Sequence, residues 1–333
     1  MRLLTSDLHL TDKPDDEYRW GIFDFLDKQA KKDCEIYILG DVTDFKDNHS
    51  SVLVNRIMDN LYRLSKENYV HILCGNHDYK KKEHPFFSFA KYTPNVSFYT
   101  EITHCNDILL LPHTRTPGRD WENLSKWCSE QDTKYLFMHE SVIGAVASDT
   151  YEITSGLPQS YFSENVPEHI KIYSGDIHVP QVCGRVEYVG SPYRVRFGDK
   201  FTGRVIKIDD KDYAKSIYFH TMNKHSVSIK KPEDLLELDA KKGDQIKVQL
   251  CLSKEAYSQW YNYKKEIQEV CFDMELDLKE VKLKAQKKSL KRRGRRELKR
   301  IVNLGKDEII RKFCSQEKTS DSVLTKGLEI LEE

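Results

Sequence analysis

Residues 69–78 read YVHILCGNHD. Tyr69–Cys74 is an apolar run of strand length, and Gly75-Asn76-His77-Asp78 at its end is a turn built from metal-ligand residue types. The same arrangement stands twice upstream. Arg2–Ser6 reads as a strand ending at Asp7-Leu8-His9, and Glu35–Leu39 as a strand that delivers Gly40-Asp41-Val42-Thr43-Asp44. It recurs twice downstream. Tyr135–Met138 runs into His139-Glu140, and Ile172–Ser174 into Gly175-Asp176-Ile177-His178. Each cluster mixes Asp, Asn and His, the donors that borderline divalent metals such as Mn²⁺ prefer. Any one of them has an ordinary reading as a helix cap or turn. All five in one order, most at the end of an apolar run, point to a metal site at the carboxyl ends of strands, where α/β sheets place their ligands.

Helical spacing fills the gaps between these strands. Pro14, Asp15 and Asp16 make a helix start, with Trp20, Phe23 and Leu26 on one face. Val54, Ile57, Leu61 and Leu64 repeat the pattern. Strand-helix alternation predicts an α/β layered fold, and Ile108–Leu111 reads as a further strand. After about residue 220 the pattern changes. Ser226–Lys230 and Gln245–Leu252 read as strands, and Met274–Leu283 alternates as a strand does. Lys254–Phe272 reads as a helix with Tyr257, Trp260, Tyr261 and Ile267 inward. The expected organisation is a main domain over 1–220, a small α+β module over 221–283, a basic linker over 284–303 and a helical tail over 304–333. The tail carries apolar stripes around Ile309, Ile310 and Phe313, then Val323, Leu324, Leu328 and Leu331.

Lys plus Arg and Asp plus Glu are equal in number at 53 each, so bulk charge does not advertise a polyanion partner. The balance hides a dense basic stretch at 279–300. That stretch has a plain reading as a solvated linker. Its charge density also suits counterion release from a nucleic acid, through Lys291, Arg292 and Arg293 among others. It has no interleaved aromatics, so base stacking is not implied. The eight cysteines are scattered without a Cys-x-x-Cys pair and read as reduced thiols. No apolar run approaches the ~20 residues of a membrane span, and no signal-peptide pattern precedes the first motif. The expectation is a cytoplasmic protein, in host cytoplasm if phage-encoded.

A phosphodiester resists attack because its anionic oxygens repel nucleophiles. Two cations ~3.5–4 Å apart neutralise that charge and lower the pKa of a bridging water. Asp41 is the natural bridge. Asp7, His9 and His178 complete one cation's set, and Asn76, His139 and Asp176 the other's. The expected cofactor is a pair of Mn²⁺, with Mg²⁺ as the alternative. His77, beside a ligand, is placed to give a proton to the leaving oxygen. Asp78 either orients His77 or caps the turn. Asp44 reads as a turn cap and Glu140 as a hydrogen-bonding neighbour of His139. His49, His84, His104 and His113 read as surface or loop histidines, with a DNA contact as the sharper alternative for His49. Arg194, Arg196 and Arg204 are either phosphate holders or ordinary paired arginines.

The five clusters resemble the calcineurin-like metallophosphoesterase superfamily. Its motifs are Asp-x-His, Gly-Asp-x-x-Asp, Gly-Asn-His-Asp, a lone His and Gly-His-x-His, and the likeness covers residues 1 to roughly 200. It implies a four-layer αββα core. Three further features are similar to SbcD-like DNA nucleases, a family with phage members and the eukaryotic meiotic recombination nuclease. They are Tyr188-Val189-Gly190-Ser191-Pro192 followed by Phe197-Gly198-Asp199, the Lys46–Ser51 stretch, and the layout of core, cap, basic linker and tail. This narrower resemblance implies a Mn²⁺-dependent exo/endonuclease subunit in DNA repair and recombination. It also implies a cap that steers DNA, a tail that docks on an SbcC-like coiled-coil ATPase, and pairing of two copies through core helices. One position departs: Asp176 stands where the family usually has His. Asp is an adequate ligand, and a place behind the ligands is its alternative role. Two competing functions remain open: a phosphoesterase acting on proteins or small phosphoesters, and a non-catalytic repair scaffold, for which Asp176 is the only foothold.

Overall fold

The computed structural model of the protein describes residues 1–148, 151–253 and 255–285. Met1–Leu250 and Tyr261–Lys282 form one compact unit. The strands β1 (Arg2–Thr5), β2 (Glu35–Ile38), β3 (Tyr69–Leu73) and β4 (Val96–Tyr99) are joined in part by helices over Gly21–Gln29 and Ser51–Ser65. They are followed by β5 (Thr103–Cys105), β6 (Ile108–Leu111) and β7 (Tyr135–His139). A short ribbon of β8 (Val146–Ser148) and β9 (Tyr151–Glu152) precedes the helix Gln159–Asn165 and β10 (Lys171–Gly175). Two hairpins come next, β11 (Gln181–Cys183) with β12 (Val186–Tyr188), and β13 (Val205–Ile208) with β14 (Ala214–Ile217). The last strands are β15 (Lys224–Ile229), β16 (Gln245–Leu252) and β17 (Asp277–Ala285).

These strands build two six-stranded sheets, ordered β14-β13-β1-β2-β3-β4 and β11-β12-β10-β7-β6-β5, and a three-stranded sheet β15-β16-β17. Successive residues of a strand point to opposite faces, and the burial follows that period. Tyr37 and Leu39 join Leu4, Leu73, Ile108, Leu110, Tyr135, Phe137 and Tyr173 in the core between the two sheets. Their neighbours Leu3, Ile36, Ile38, Val70 and Ile72 face outward, onto Phe23, Leu26, Leu53, Ile57 and Leu61 of the helices. On the second sheet Leu109, Leu136, Met138 and Ile172 face outward onto Leu124 and Phe162. The result is the four-layer αββα arrangement. The helix Ser51–Ser65 starts cleanly because the Ser50 hydroxyl accepts the Leu53 N–H at 3.1 Å.

Register places the motif loops side by side. Thr5 pairs with Ile38 and Ile38 with Ile72, so β1, β2 and β3 end level. In the other sheet Gly175 pairs with His139. Two expectations need correction. The segment Pro14–Trp20 is a 3-10 helix, and α-helix begins only at Gly21; Asp16 and Arg19 are drawn into a buried ion network there. The helix Trp260–Asp273 buries Ile267 and Cys271, one turn apart, while Tyr261 is 76% exposed. No helix among the described residues is long and apolar enough to cross a membrane. None of the seven cysteines among them is in a disulfide. The basic linker beyond residue 285 and the tail lie outside the described residues.

Candidate metal centre

Each motif is the turn that leaves a buried strand. Such turns need unusual backbone, and Asp7, His9, Asp41 and Asp176 all have positive φ, between 43° and 76°. Left-handed non-glycine residues are held there by their surroundings, and they cluster at functional sites. Here the surroundings are backbone hydrogen bonds between the first two loops. Asp7 N–H donates to Gly40 O at 3.1 Å, His9 N–H to Asp41 O at 3.0 Å and Leu10 N–H to Val42 O at 2.9 Å. Gly175 lets the second sheet reach them. A Cβ on it would stand 2.2 Å from the Ser6 hydroxyl and 2.3 Å from Leu39 O.

The side chains converge in three overlapping groups, each with its donor atoms within 4.8 Å of one another: Asp7, His9 and His178; His9, Asp41 and His77; Asp7, Asp41 and His139. Asp41 is turned to two sides. Its Oδ2 lies 3.6 Å from His9 Nε2, and its Oδ1 lies 3.4 Å from His139 Nε2. His9 Nε2 and His178 Nε2 approach to 3.0 Å. His139 Nδ1–H donates to Leu39 O at 2.6 Å, which turns Nε2 inward as the second nitrogen of a metal-binding imidazole usually is. That Nε2 and both carboxylate oxygens of Asp7 are buried with no hydrogen-bond partner. Buried polar atoms are rarely left so, and an unpaired group asks for a partner.

Burial pushes four of the donors, Asp7, His9, Asp41 and His178, away from their charged forms. The Asp7 carboxyl is raised to about 8 and that of Asp41 well above its usual range. His9 is lowered to about 4 and His178 well below its ordinary value. His139 is the exception: against the pull of burial, the carboxylates of Asp7 and Asp176 raise it. The His139 imidazolium is a countercharge for these carboxylates. A divalent cation is a better one, and it inverts the local pKa order. Clustered carboxylate and imidazole donors therefore fit divalent cations.

The predicted residues separate by role. Asn76 donates its amide N–H to Asp176 Oδ1 at 2.7 Å. The same Asp176 oxygen lies 3.8 Å from His139 Nε2, though Asp176 falls outside the three tight groups. His77 stands at the open edge, its side chain 29% exposed, with Nδ1 3.1 Å from Asp44 O and its ring 5.0 Å from that of His9. Of the two roles open to Asp78, its hydrogen bonds belong to capping. The fully buried carboxylate accepts Gly75 N–H at 2.7 Å, Asp41 N–H at 2.9 Å and Val42 N–H at 3.1 Å, clamping the second motif to the third. Asp44 is more than a cap. Its Oδ1 lies 3.2 Å from His9 Nδ1, and this neighbour lowers it to about 2.

His113 is not a surface residue. Tyr79 OH holds its Nδ1 at 2.8 Å, and its ring lies 6.1 Å from that of His139. His104 is likewise largely enclosed, beside Trp127. Glu140 accepts Thr114 N–H at 2.9 Å, and burial raises it to about 7. His49 bonds Thr43 at 2.7 Å and packs on Phe86, a structural use of the ring. Arg204 is tied to Tyr188 O, Val189 O and Glu187. Arg194 bonds Phe201 O, while Arg196 is exposed. Lys291, Arg292 and Arg293 lie outside the described residues. The segment after the last motif supports the first. Ser191 OH donates to Asp7 O at 3.0 Å, and Tyr193 OH to Leu8 O at 2.6 Å.

Comparison with curated proteins returned no match. The family profile described as calcineurin-like phosphoesterase matches residues 2–184, which begins in β1 and takes in every one of the strand-end clusters. On that match, over more than half of its length, the chain belongs to the calcineurin-like phosphoesterase family.

Proposed function

We propose that the protein is a Mn²⁺-dependent DNA nuclease subunit of the SbcD-like kind, acting in DNA repair or recombination. The observation that carries a two-metal phosphodiesterase is the two-sided carboxylate of Asp41, with His9 on one oxygen and His139 on the other. Asp7, His9 and His178 would hold one cation, and Asn76, His139 and Asp176 the other, with Asp41 between. When bound, the cations supply charge neutralisation at the phosphate and a water of lowered pKa. Asp78 and the Leu39 carbonyl keep the donors aligned. His77 meets the substrate at the open edge. Its Nδ1–H rests on Asp44 O, so Nε2 is the nitrogen turned to the substrate, and the doubly protonated ring would give the Nε2 proton to the departing sugar oxygen and be left neutral.

DNA as substrate is supported by the likeness of residues 188–199 and 46–51 to SbcD-like nucleases. Docking of an SbcC-like ATPase on residues 304–333, and pairing of two copies through core helices, belong to the same proposal. The test is Mn²⁺-dependent cleavage of end-labelled linear DNA, with a nitrophenyl phosphodiester and a phosphomonoester alongside, for wild type and His77→Ala. The expected result is DNA cleavage that falls by about 10²–10⁴-fold in the variant, within the usual range for general acid catalysis, with metal content kept. Turnover of the small esters alone, with the ATPase present, would move the protein to a phosphoesterase of small or protein substrates.

A further inference from the structure

Directly after Asp78 the chain reads Tyr79-Lys80-Lys81-Lys82-Glu83, and shortly after β6 it reads Thr114-Arg115-Thr116, then Arg119. Tertiary folding brings the two stretches together around a cleft of about 390 Å³. Lys80, Lys81, Lys82, Arg115 and Arg119 line it, against only two acids, Glu83 and Asp120. Asp120 is already committed. It takes Lys82 at 3.2 Å, Arg119 at 2.9 Å and the Thr114 hydroxyl. Among the described residues the one carboxylate paired with Lys80 is Asp47, at 3.9 Å. Among the described residues neither Lys81 nor Arg115 has a carboxylate within ion-pair distance.

A run of lysines on one loop is ordinarily a solvated surface. This one differs because a second loop, more than thirty residues away in sequence, adds two arginines to the same concavity. Like charges gathered from separate loops repel unless an anion joins them. The cleft is also wired to the metal centre. The Arg115 guanidinium lies over the Tyr79 ring, 5.8 Å from its centroid; Tyr79 OH bonds His113; and the His113 ring stands against His139.

We propose that this cleft is a second substrate subsite, which binds the phosphodiester backbone of a nucleic-acid strand running past the metal centre. The proposal rests on the nuclease reading above and deepens it. The lining chooses backbone over base. Tyr79, the one aromatic of the cleft, is 2% exposed and covered by Arg115, so it offers no face for a base to stack on. Arginine forks and lysine ammonium groups suit phosphate oxygens. Contacts of that kind position a strand without reading its sequence.

The test is binding of a fluorescent oligonucleotide by the full chain in Mn²⁺, titrated with salt, beside turnover of a nitrophenyl phosphodiester. The variants are Lys81→Glu with Arg115→Glu, and the conservative pair Lys81→Arg with Arg115→Lys. Each phosphate contact contributes roughly 0.9 to the log–log salt slope. The charge-reversed protein is therefore expected to bind about tenfold or more weakly at moderate salt, with a slope shallower by about two. Its loss on the oligonucleotide should exceed its loss on the small diester by a similar factor. The conservative pair should keep the affinity, and homopolymers of different bases should bind alike. Wild-type affinity and slope in the charge-reversed protein would overturn the cleft and leave the nuclease reading standing. A wild-type protein that turns over the diester yet binds no oligonucleotide would overturn the nuclease reading itself.

Discussion

Asp44 shows how much one half-exposed carboxylate can govern. It sits 3.2 Å from Nδ1 of the fully buried His9, and the two rings of His9 and His77 meet above it. A carboxylate behind a metal-binding imidazole fixes its orientation and raises its basicity, and removal usually costs 10–100-fold in metal affinity. Asp44→Ala should weaken Mn²⁺ binding by about that factor, read by metal titration. An unchanged affinity would mean that packing alone orients His9. At Asp78 the same residue type has the opposite use, with both oxygens spent on backbone N–H groups and none on His77. At Asp176 the near oxygen is spent on Asn76.

Among the elements, β3 carries a titrating group into the space between the sheets. His71 stacks on Tyr37, with centroids 4.5 Å apart and planes 11° from parallel, and its Nδ1 bonds Tyr99 OH at 2.9 Å. Burial lowers it from 6.5 to about 4, with Glu35 pulling weakly the other way. The sign follows from proton counting. Between those values the unfolded chain binds a proton that the native chain refuses, so stability is full above pH 6.5 and is lost as pH falls toward 4. The loss is about 3 kcal/mol when fully expressed. His71→Gln keeps a partner for Tyr99 and should flatten the pH dependence of denaturant unfolding over this window by about one proton. An unaltered slope would place the titration elsewhere.

In the whole molecule, the three-stranded sheet is tied to the core through a buried ion network. Asp16 accepts Lys224, at the start of β15, at 2.6 Å, Arg19 at 2.8 Å and the Thr11 hydroxyl at 2.9 Å. Arg19 in turn donates to the His9 carbonyl and to Val195 O. Gln245 and Lys279 reach Asp15 from the same sheet. Removing one partner of a buried pair strands the other charge and costs about 3–5 kcal/mol. Asp16→Asn should lose stability of that order in denaturant melts, and should weaken metal binding because Arg19 steadies the loop of His9. A loss below about 1 kcal/mol would show the network to be wet and loosely held.

The sequence by itself determined the strand-and-helix alternation and the donor residues at the strand ends. Each of these is local. Apolar period, strand length and a Gly-Asp or Gly-Asn turn are properties of a few consecutive residues, which is why the ends of β1, β2, β3, β7 and β10 were legible. Only the tertiary structure decided how β13 returns to pair with β1, Ile206 beside Leu4. It alone separated a clamping Asp78 from an Asp44 set against His9, and joined Asn76 to Asp176. It also joined two basic loops into one cleft and drew His113 inward. The physical reason is common to all of these. They depend on where a side chain points and on contacts between residues far apart in the chain, and residue type and spacing carry neither.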